Sequence, residues 1–175
     1  MTDLIGKAPA PDFTSPLDML HACHDRIMDQ CSTLQKLMQH LPMHGCDTPA
    51  QQAAQAILRY FDTAGQFHHQ DEEVDLFPLL STAQNADADE LMKQLLSEHQ
   101  AMDALWANLR IQLQVIADGK STELDRKIVG DFSLAYGRHV MLENMKLLPL
   151  AARLLNEQQL QQMGTNMAKR RGVTL

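Results

Sequence analysis

Phe67-His68-His69-Gln70-Asp71-Glu72-Glu73-Val74-Asp75-Leu76-Phe77-Pro78 decides the fold, because its framework returns later in the chain. His68, Glu72 and Pro78 recur with the same mutual spacing as His139, Glu143 and Pro149, within Tyr136-Gly137-Arg138-His139-Val140-Met141-Leu142-Glu143-Asn144-Met145-Lys146-Leu147-Leu148-Pro149. A His and a Glu four residues apart lie on one face of a helix, one turn above the other. Imidazole nitrogen plus carboxylate oxygen is a donor set that iron, manganese or zinc accepts. One such pair is commonplace on a solvated helix face. Two pairs, each followed by a similarly placed proline, point to a repeated metal-binding unit.

The segments around these two stretches read as helices throughout. Ser15-Pro16 is a helix start, with Ser as N-cap and Pro at the first helical position, and Leu17, Leu20, His24, Ile27, Cys31, Leu34 and Met38 keep helical spacing to about Leu41. Pro42 to Asp47 reads as a turn, and Thr48-Pro49 opens a second helix with Gln51 placed to complete a capping box. That helix is expected to run through His68 and Glu72 and to kink or finish near Pro78, which lacks an N–H. A third helix follows the polar turn Asn85-Ala86-Asp87 and ends at Asp118-Gly119. A fourth is capped by Ser121 or Thr122 and carries Phe132, Tyr136, His139, Glu143 and Leu147 inward. Short turns between long amphipathic helices make neighbours antiparallel. The expected fold is all-α: an irregular arm over residues 1–14, an up-down-up-down four-helix bundle over 15–155, and a short fifth helix with a basic tail over 156–175.

Composition agrees with helix and narrows the function. Aromatic residues are 5% of 175 and hydrophobic residues 45%, with 11 Met. A net charge of −7 argues against nucleic acid as a partner, since phosphate binding needs a basic stripe. No apolar run approaches a membrane span, which takes about 20 residues, and Thr2-Asp3-Leu4-Ile5-Gly6-Lys7 does not resemble a signal peptide. Cys23, Cys31 and Cys46 lack metal-ligand spacing, so a reducing cytoplasm is the expected compartment.

The first and third helices echo each other, as the second and fourth do. Leu20 and His24 match Leu95 and His99. At 1.5 Å per residue His24 lies ~12 Å in from Pro16, His68 ~15 Å back from Pro78, His99 ~18 Å in from Asp87, and His139 ~15 Å back from Pro149. In an antiparallel bundle these depths coincide, so four imidazoles and two carboxylates converge. Two ionised glutamates among apolar side chains would each cost several kcal/mol unpaired. No Lys or Arg faces inward at that level, so either the carboxylates turn outward or bound cations offset them. Four His and two bridging carboxylates, with a bridging oxide or hydroxide, leave about two of ~12 positions open on two octahedral ions. Of the other histidines, His21 shares the His24 face, His69 is turned ~100° from His68, and His40 and His44 sit ~25–30 Å away. Glu73 and Glu98 are candidates to orient ligand imidazoles, although surface positions account for them more simply.

Taken together, His24-Asp25-Arg26-Ile27, His68-x-x-x-Glu72-Glu73-x-x-Leu76-Phe77-Pro78, Glu98-His99 and His139-x-x-x-Glu143 resemble the hemerythrin-like family of His/Glu cation-binding domains, over roughly residues 16 to 155. The resemblance implies a non-haem centre of two iron ions (an Fe–O–Fe-type centre, with manganese or zinc as substitutes) held by His24, His68, Glu72, His99, His139 and Glu143. It further implies a small diatomic partner, O2 or NO, that is bound or sensed. A homodimer is compatible with it. Two departures point to the wider bacterial group. Asp103 stands where oxygen carriers have a second histidine on the third helix, and Glu143 follows His139 by four residues where those carriers have an Asp at five. Iron donation to iron–sulfur clusters, an oxidase or peroxidase reaction assisted by Tyr136 or Asp103, and a metal-free interaction bundle are the competing readings.

Overall fold

Pro16 opens α1 (Pro16–His44), the first of the helices that make up the protein. The computed structural model describes residues 12–174, and among them there is no strand. Most of the expected N-terminal arm, residues 1–11, lies outside the described residues. α1 is longer than its sequence suggests, because Pro42 falls inside it. The proline forfeits one backbone hydrogen bond without ending the helix, and Gly45, at φ 73°, ends it instead.

The expected second helix is broken. α2 (Thr48–Phe61) stops at Asp62, and α3 (Ala64–Gln70) begins after Thr63. Thr63 Oγ1 donates to the Arg59 carbonyl at 2.6 Å, while Asp62 accepts from Trp106 Nε1 at 3.1 Å and Arg110 Nε at 2.9 Å. Short polar side chains that bond the local backbone compete with helix continuation. The N-cap of α2 is Asp47, which accepts from the Ala50 N–H, so Thr48 is the first helical residue rather than the cap.

Beyond α3 the helix widens into a π-turn, Asp71–Leu76, before α4 (Phe77–Ser81). The same happens in the fourth rod: α6 (Arg126–Leu142), a π-turn at Glu143–Leu147, then α7 (Leu148–Leu154). In each case the glutamate carbonyl accepts from an N–H five residues on, Phe77 for Glu72 and Leu148 for Glu143. A proline follows immediately in each, Pro78 and Pro149. A proline clashes with the carbonyl four residues before it, and a widened turn at that point relieves the clash. The repeated prolines therefore mark π-turns: the disturbance expected near Pro78 is a widened turn before it, after which the helix continues to Ser81.

α5 (Ala86–Ala117) is capped by Asn85, whose side chain accepts from Ala88 N–H. α6 is capped by Asp125, which accepts from Lys127 and Ile128, and not by Ser121 or Thr122. α8 (Glu157–Arg170) begins with a reciprocal capping box between Asn156 and Gln159. α1 packs on α2 and α6, and α5 packs on the same two helices, while α8 lies against α1 and the first π-turn.

The interior is two apolar clusters with a polar layer between. Ile27, Phe61, Met102, Phe132, Tyr136 and Val140 belong to one. Leu20, Leu76, Leu95, Leu147, Met163 and Met167 belong to the other. Along every rod the changeover falls at a candidate site residue: His24 between Leu20 and Ile27, His99 between Leu95 and Met102, and the two His/Glu pairs on the remaining rods.

Gly164 marks where the chain before α1 is seated on α8. A Cβ there would fall inside contact distance of the Phe13 carbonyl oxygen. Gly→Ala inside a helix ordinarily gains about 1 kcal/mol, but overpacking against backbone costs about 1–3 kcal/mol. Gly164→Ala is therefore expected to lower Tm by a few degrees in thermal denaturation followed by circular dichroism; a rise would show that Phe13 is not seated there.

Candidate metal centre

His24, His68, Glu72, His99, His139 and Glu143 are each at most 2% exposed and meet in the layer between the two cores. They form two overlapping sets, His24-His68-Glu72-Glu143 and Glu72-His99-His139-Glu143, in each of which one ligand atom per residue lies within 4.8 Å of all the others. The two glutamates belong to both sets, and they divide their oxygens between them. Glu72 Oε1 lies 3.5 Å from His68 Nε2 and 3.9 Å from His24 Nε2, while its Oε2 lies 3.3 Å from His99 Nε2. Glu143 Oε2 lies 3.0 Å from His24 Nε2 and 4.0 Å from His68 Nε2, while its Oε1 lies 3.0 Å from His139 Nε2.

These short distances are not hydrogen bonds that satisfy the groups. Both oxygens of both glutamates, His24 Nε2 and His68 Nε2 are fully buried and lack a directed hydrogen bond. His99 Nε2 faces His139 Nε2 at 3.0 Å, nitrogen to nitrogen. Buried polar atoms are almost always paired. Buried donors that converge in this way could hold a cation, and the His/carboxylate set suits a transition-metal ion.

Three of the four imidazoles are oriented from behind. His24 Nδ1 donates to Asn144 Oδ1 at 2.6 Å, His99 Nδ1 to Glu73 Oε1 at 2.6 Å, and His139 Nδ1 to Glu98 Oε2 at 2.8 Å. An oxygen acceptor at Nδ1 leaves the Nε2 lone pair pointing into the cluster, the arrangement of metal-bound histidine. Glu73 and Glu98 are thus tied to two of the clustered histidines, not merely displayed at the surface. Asn144 escaped the sequence reading. It is the repeat equivalent of Glu73, one residue past the glutamate, and aligning the two halves would have found it. The same alignment puts Cys23 opposite Glu98, and His68 Nδ1, the ring nitrogen this would serve, has no hydrogen-bond partner among the described residues.

The charges settle among these groups. Burial disfavours a charged His24, but the carboxylates of Glu143 and Glu72 outweigh it and push the ring up to about 10. For His99 burial is likewise outweighed, by Glu72 and Glu73, and it rises to about 9. His68 is driven well below its ordinary range by burial and by the charge of His24. Burial and the neighbouring Glu143 raise Glu72, whereas Glu143 is held well below its ordinary range, despite burial, by His139 and His24. Without an ion, protons on the imidazoles supply the positive charge the carboxylates require.

A sequence profile of the hemerythrin HHE cation-binding domain matches residues 15–151. The chain belongs to that family. It is also similar to an uncharacterized protein of Haemophilus influenzae, 32% identical over 164 residues, with 92% of each chain covered. Within this HHE domain the remaining sequence candidates fall outside the cluster. Asp103 is on neither set and stands 3.9 Å from His69. His69 is buried and stacked on His99, centroids 4.0 Å apart, and burial and the adjacent His99 hold it down at about 3. Tyr136 packs among Phe61 and Phe132, where burial raises its hydroxyl pKa. His21 is exposed on the surface, and His40 bonds Asp47 at 2.9 Å and stacks on His44.

A cluster kept for ion binding should cost the ion-free fold rather than help it. Glu72→Gln removes one buried charge beside another, so its unfolding free energy in chelator, read from urea titration, should rise or stay within about 1 kcal/mol of the native protein. A loss of 3–5 kcal/mol would show instead that the carboxylate is a structural pairing.

Proposed function

We propose that this protein holds two iron ions between Glu72 and Glu143 and binds or senses a small diatomic ligand, O2 or NO, at that centre. The observation that carries the reading is the division of each buried carboxylate between two histidine pairs, with both oxygens lacking directed hydrogen bonds. His24 and His68 would hold one ion and His99 and His139 the other, with one oxygen from each glutamate on each side. Bound iron would supply redox-active positions for a diatomic ligand, since six side chains do not fill two coordination shells.

The protein's own residues shape what such a centre can do. Asn144, Glu73 and Glu98 fix three imidazole orientations. Ile27, Phe61, Met102 and Phe132, all nearly fully buried, form an apolar floor on one side, and Leu20, Leu76, Leu95 and Leu147 close the other. Separating charge in such surroundings is costly, which favours retaining a reduced ligand over releasing it as an ion.

Two further proposals accompany this one. The helix pairings support an antiparallel up-down-up-down bundle, with α2–α4 and α6–α7 as its second and fourth rods. Three unpaired cysteines, and no described helix long and apolar enough to cross a membrane, suit the reducing cytoplasm.

Metal analysis of the purified protein should return about two transition-metal ions per chain. His68→Ala and Glu143→Ala should lose metal while His44→Ala keeps it. At a hundredfold excess over Kd the ions add about 2.7 kcal/mol, so chelation should lower Tm. Anaerobic loading with ferrous iron followed by O2 or NO should produce new absorption bands that reverse on removing the gas. Irreversible bleaching with peroxide consumed or iron released would favour the oxidase or iron-donor reading. No spectral change in a loaded protein would remove support for diatomic binding.

A further inference from the structure

Asp71 and Asp75 are buried charges that the metal centre does not use. Both stand on the π-turn that carries Glu72, at 0% and 6% exposure. Arg170 reaches both, with Nη1 paired to Asp71 Oδ1 and Nη2 2.7 Å from Asp75 Oδ2. Arg171 Nη2 donates to Asp71 Oδ2 at 2.6 Å and Nη1 donates to Asp71 Oδ1 at 3.1 Å. Asn166 Nδ2 donates to Asp75 Oδ1 at 2.7 Å. The Arg171 guanidinium is also anchored over the rings of Phe13 and Phe67, 5.8 and 5.4 Å from their centroids.

The internal repeat shows that a π-turn of this kind does not need the arrangement. Asp71 and Asp75 correspond in the second half to Leu142 and Lys146, so the turn carrying Glu143 follows an apolar residue and contains a lysine instead. Stability is a poor account of the difference. A buried ion-pair group can often be replaced by apolar side chains with no loss, or with a gain. What the guanidinium forks add is direction. Asp71 and Asp75 are one turn apart, either side of Glu72 in the chain, and planar bidentate partners fix both at once. The partners come from α8 and the residue that follows it, Arg171, beyond residue 151, where the family match ends.

We propose that α8 is a positioning element of the metal centre: Arg170 and Arg171, by clamping Asp71 and Asp75 across the π-turn, set the carboxylate of Glu72 between the two histidine pairs. The inference rests on the metal-centre reading and assigns part of that centre to the segment outside the HHE domain. Tilting the π-turn moves Glu72 toward one histidine pair and away from the other, so a loosened clamp degrades bridging before it unfolds the protein.

Cobalt(II) titration of the full chain tests this, with affinity from the binding curve and coordination from the visible d–d bands. Arg170→Gln/Arg171→Gln is expected to weaken Co(II) binding by about 10–100-fold, the range for residues that orient ligands, and to change the bands while the far-ultraviolet dichroism stays helical. Arg170→Lys/Arg171→Lys, which restores charge but not the planar fork, should recover part of the affinity. Leu113→Ala, in the distant core, should lose stability yet keep native affinity and bands. Native affinity within about twofold and unchanged bands in the Gln variant would overturn the proposal. Should that variant fail to fold, Asp75→Asn, which leaves both arginines on Asp71, is judged by the same two readouts. A native protein that takes up no Co(II) would instead sink the metal-centre reading itself.

Discussion

Two carboxylates buried between apolar cores impose the constraint on which the rest of the structure depends. Among the described residues, no hydrogen-bond donor is directed at any of the four oxygens of Glu72 and Glu143, and no Lys or Arg reaches them. An ionised carboxylate in that position costs several kcal/mol unless positive charge is brought to it. Four imidazoles from four separate rods do so, either as proton carriers or as ligands of a cation. The orientation of three of them by oxygen acceptors at Nδ1 favours the second role, because Nε2 is then left with its lone pair facing inward.

The repeat makes the centre nearly two-fold symmetric, and its departures from symmetry are informative. Each half contributes two histidines and one glutamate, and each glutamate sits at the start or second residue of a π-turn that a following proline demands. The widened turn shifts helical register locally, which lets an inward histidine and a glutamate one turn later face different partners without bending the whole rod. Besides the exchange of Glu73 for Asn144, symmetry fails at two places that set the first half apart. Cys23 stands where the second half has Glu98, and the acids Asp71 and Asp75 stand where it has Leu142 and Lys146. One change leaves His68 without an orienting partner; the other recruits α8 to the turn that bears Glu72.

Much of this was legible in the chain before any coordinates. The all-helical class followed from spacing and composition, and the six clustered residues followed from a repeated His-x-x-x-Glu-Pro pattern together with matched depths of His24 and His99. Local signals failed where tertiary contacts overrode them. Thr63 and Asp62 break the second rod because Trp106 and Arg110 grip the Asp62 carboxylate. Pro42 does not end α1, while the disturbance expected at Pro78 takes the form of a widened turn. Asp125 displaces Ser121 and Thr122 as a cap, since it alone bonds the first free N–H groups of α6.

The sequence by itself determined the main inward stripes, because helical periodicity is a property of adjacent residues, though not the burial of His69, Asp71 and Asp75. It also determined that two halves carry the same donors. Only the tertiary structure decided how donors are shared between halves: that each glutamate splits its oxygens across both histidine pairs, that Asn144 serves His24, and that a basic C-terminal tail pairs with Asp71 and Asp75. Those partners are separated by 27 to 120 residues and lie on facing rods whose rotation no local pattern specifies. Their pairing follows from packing two apolar cores around one polar layer, which the chain can satisfy only as a whole.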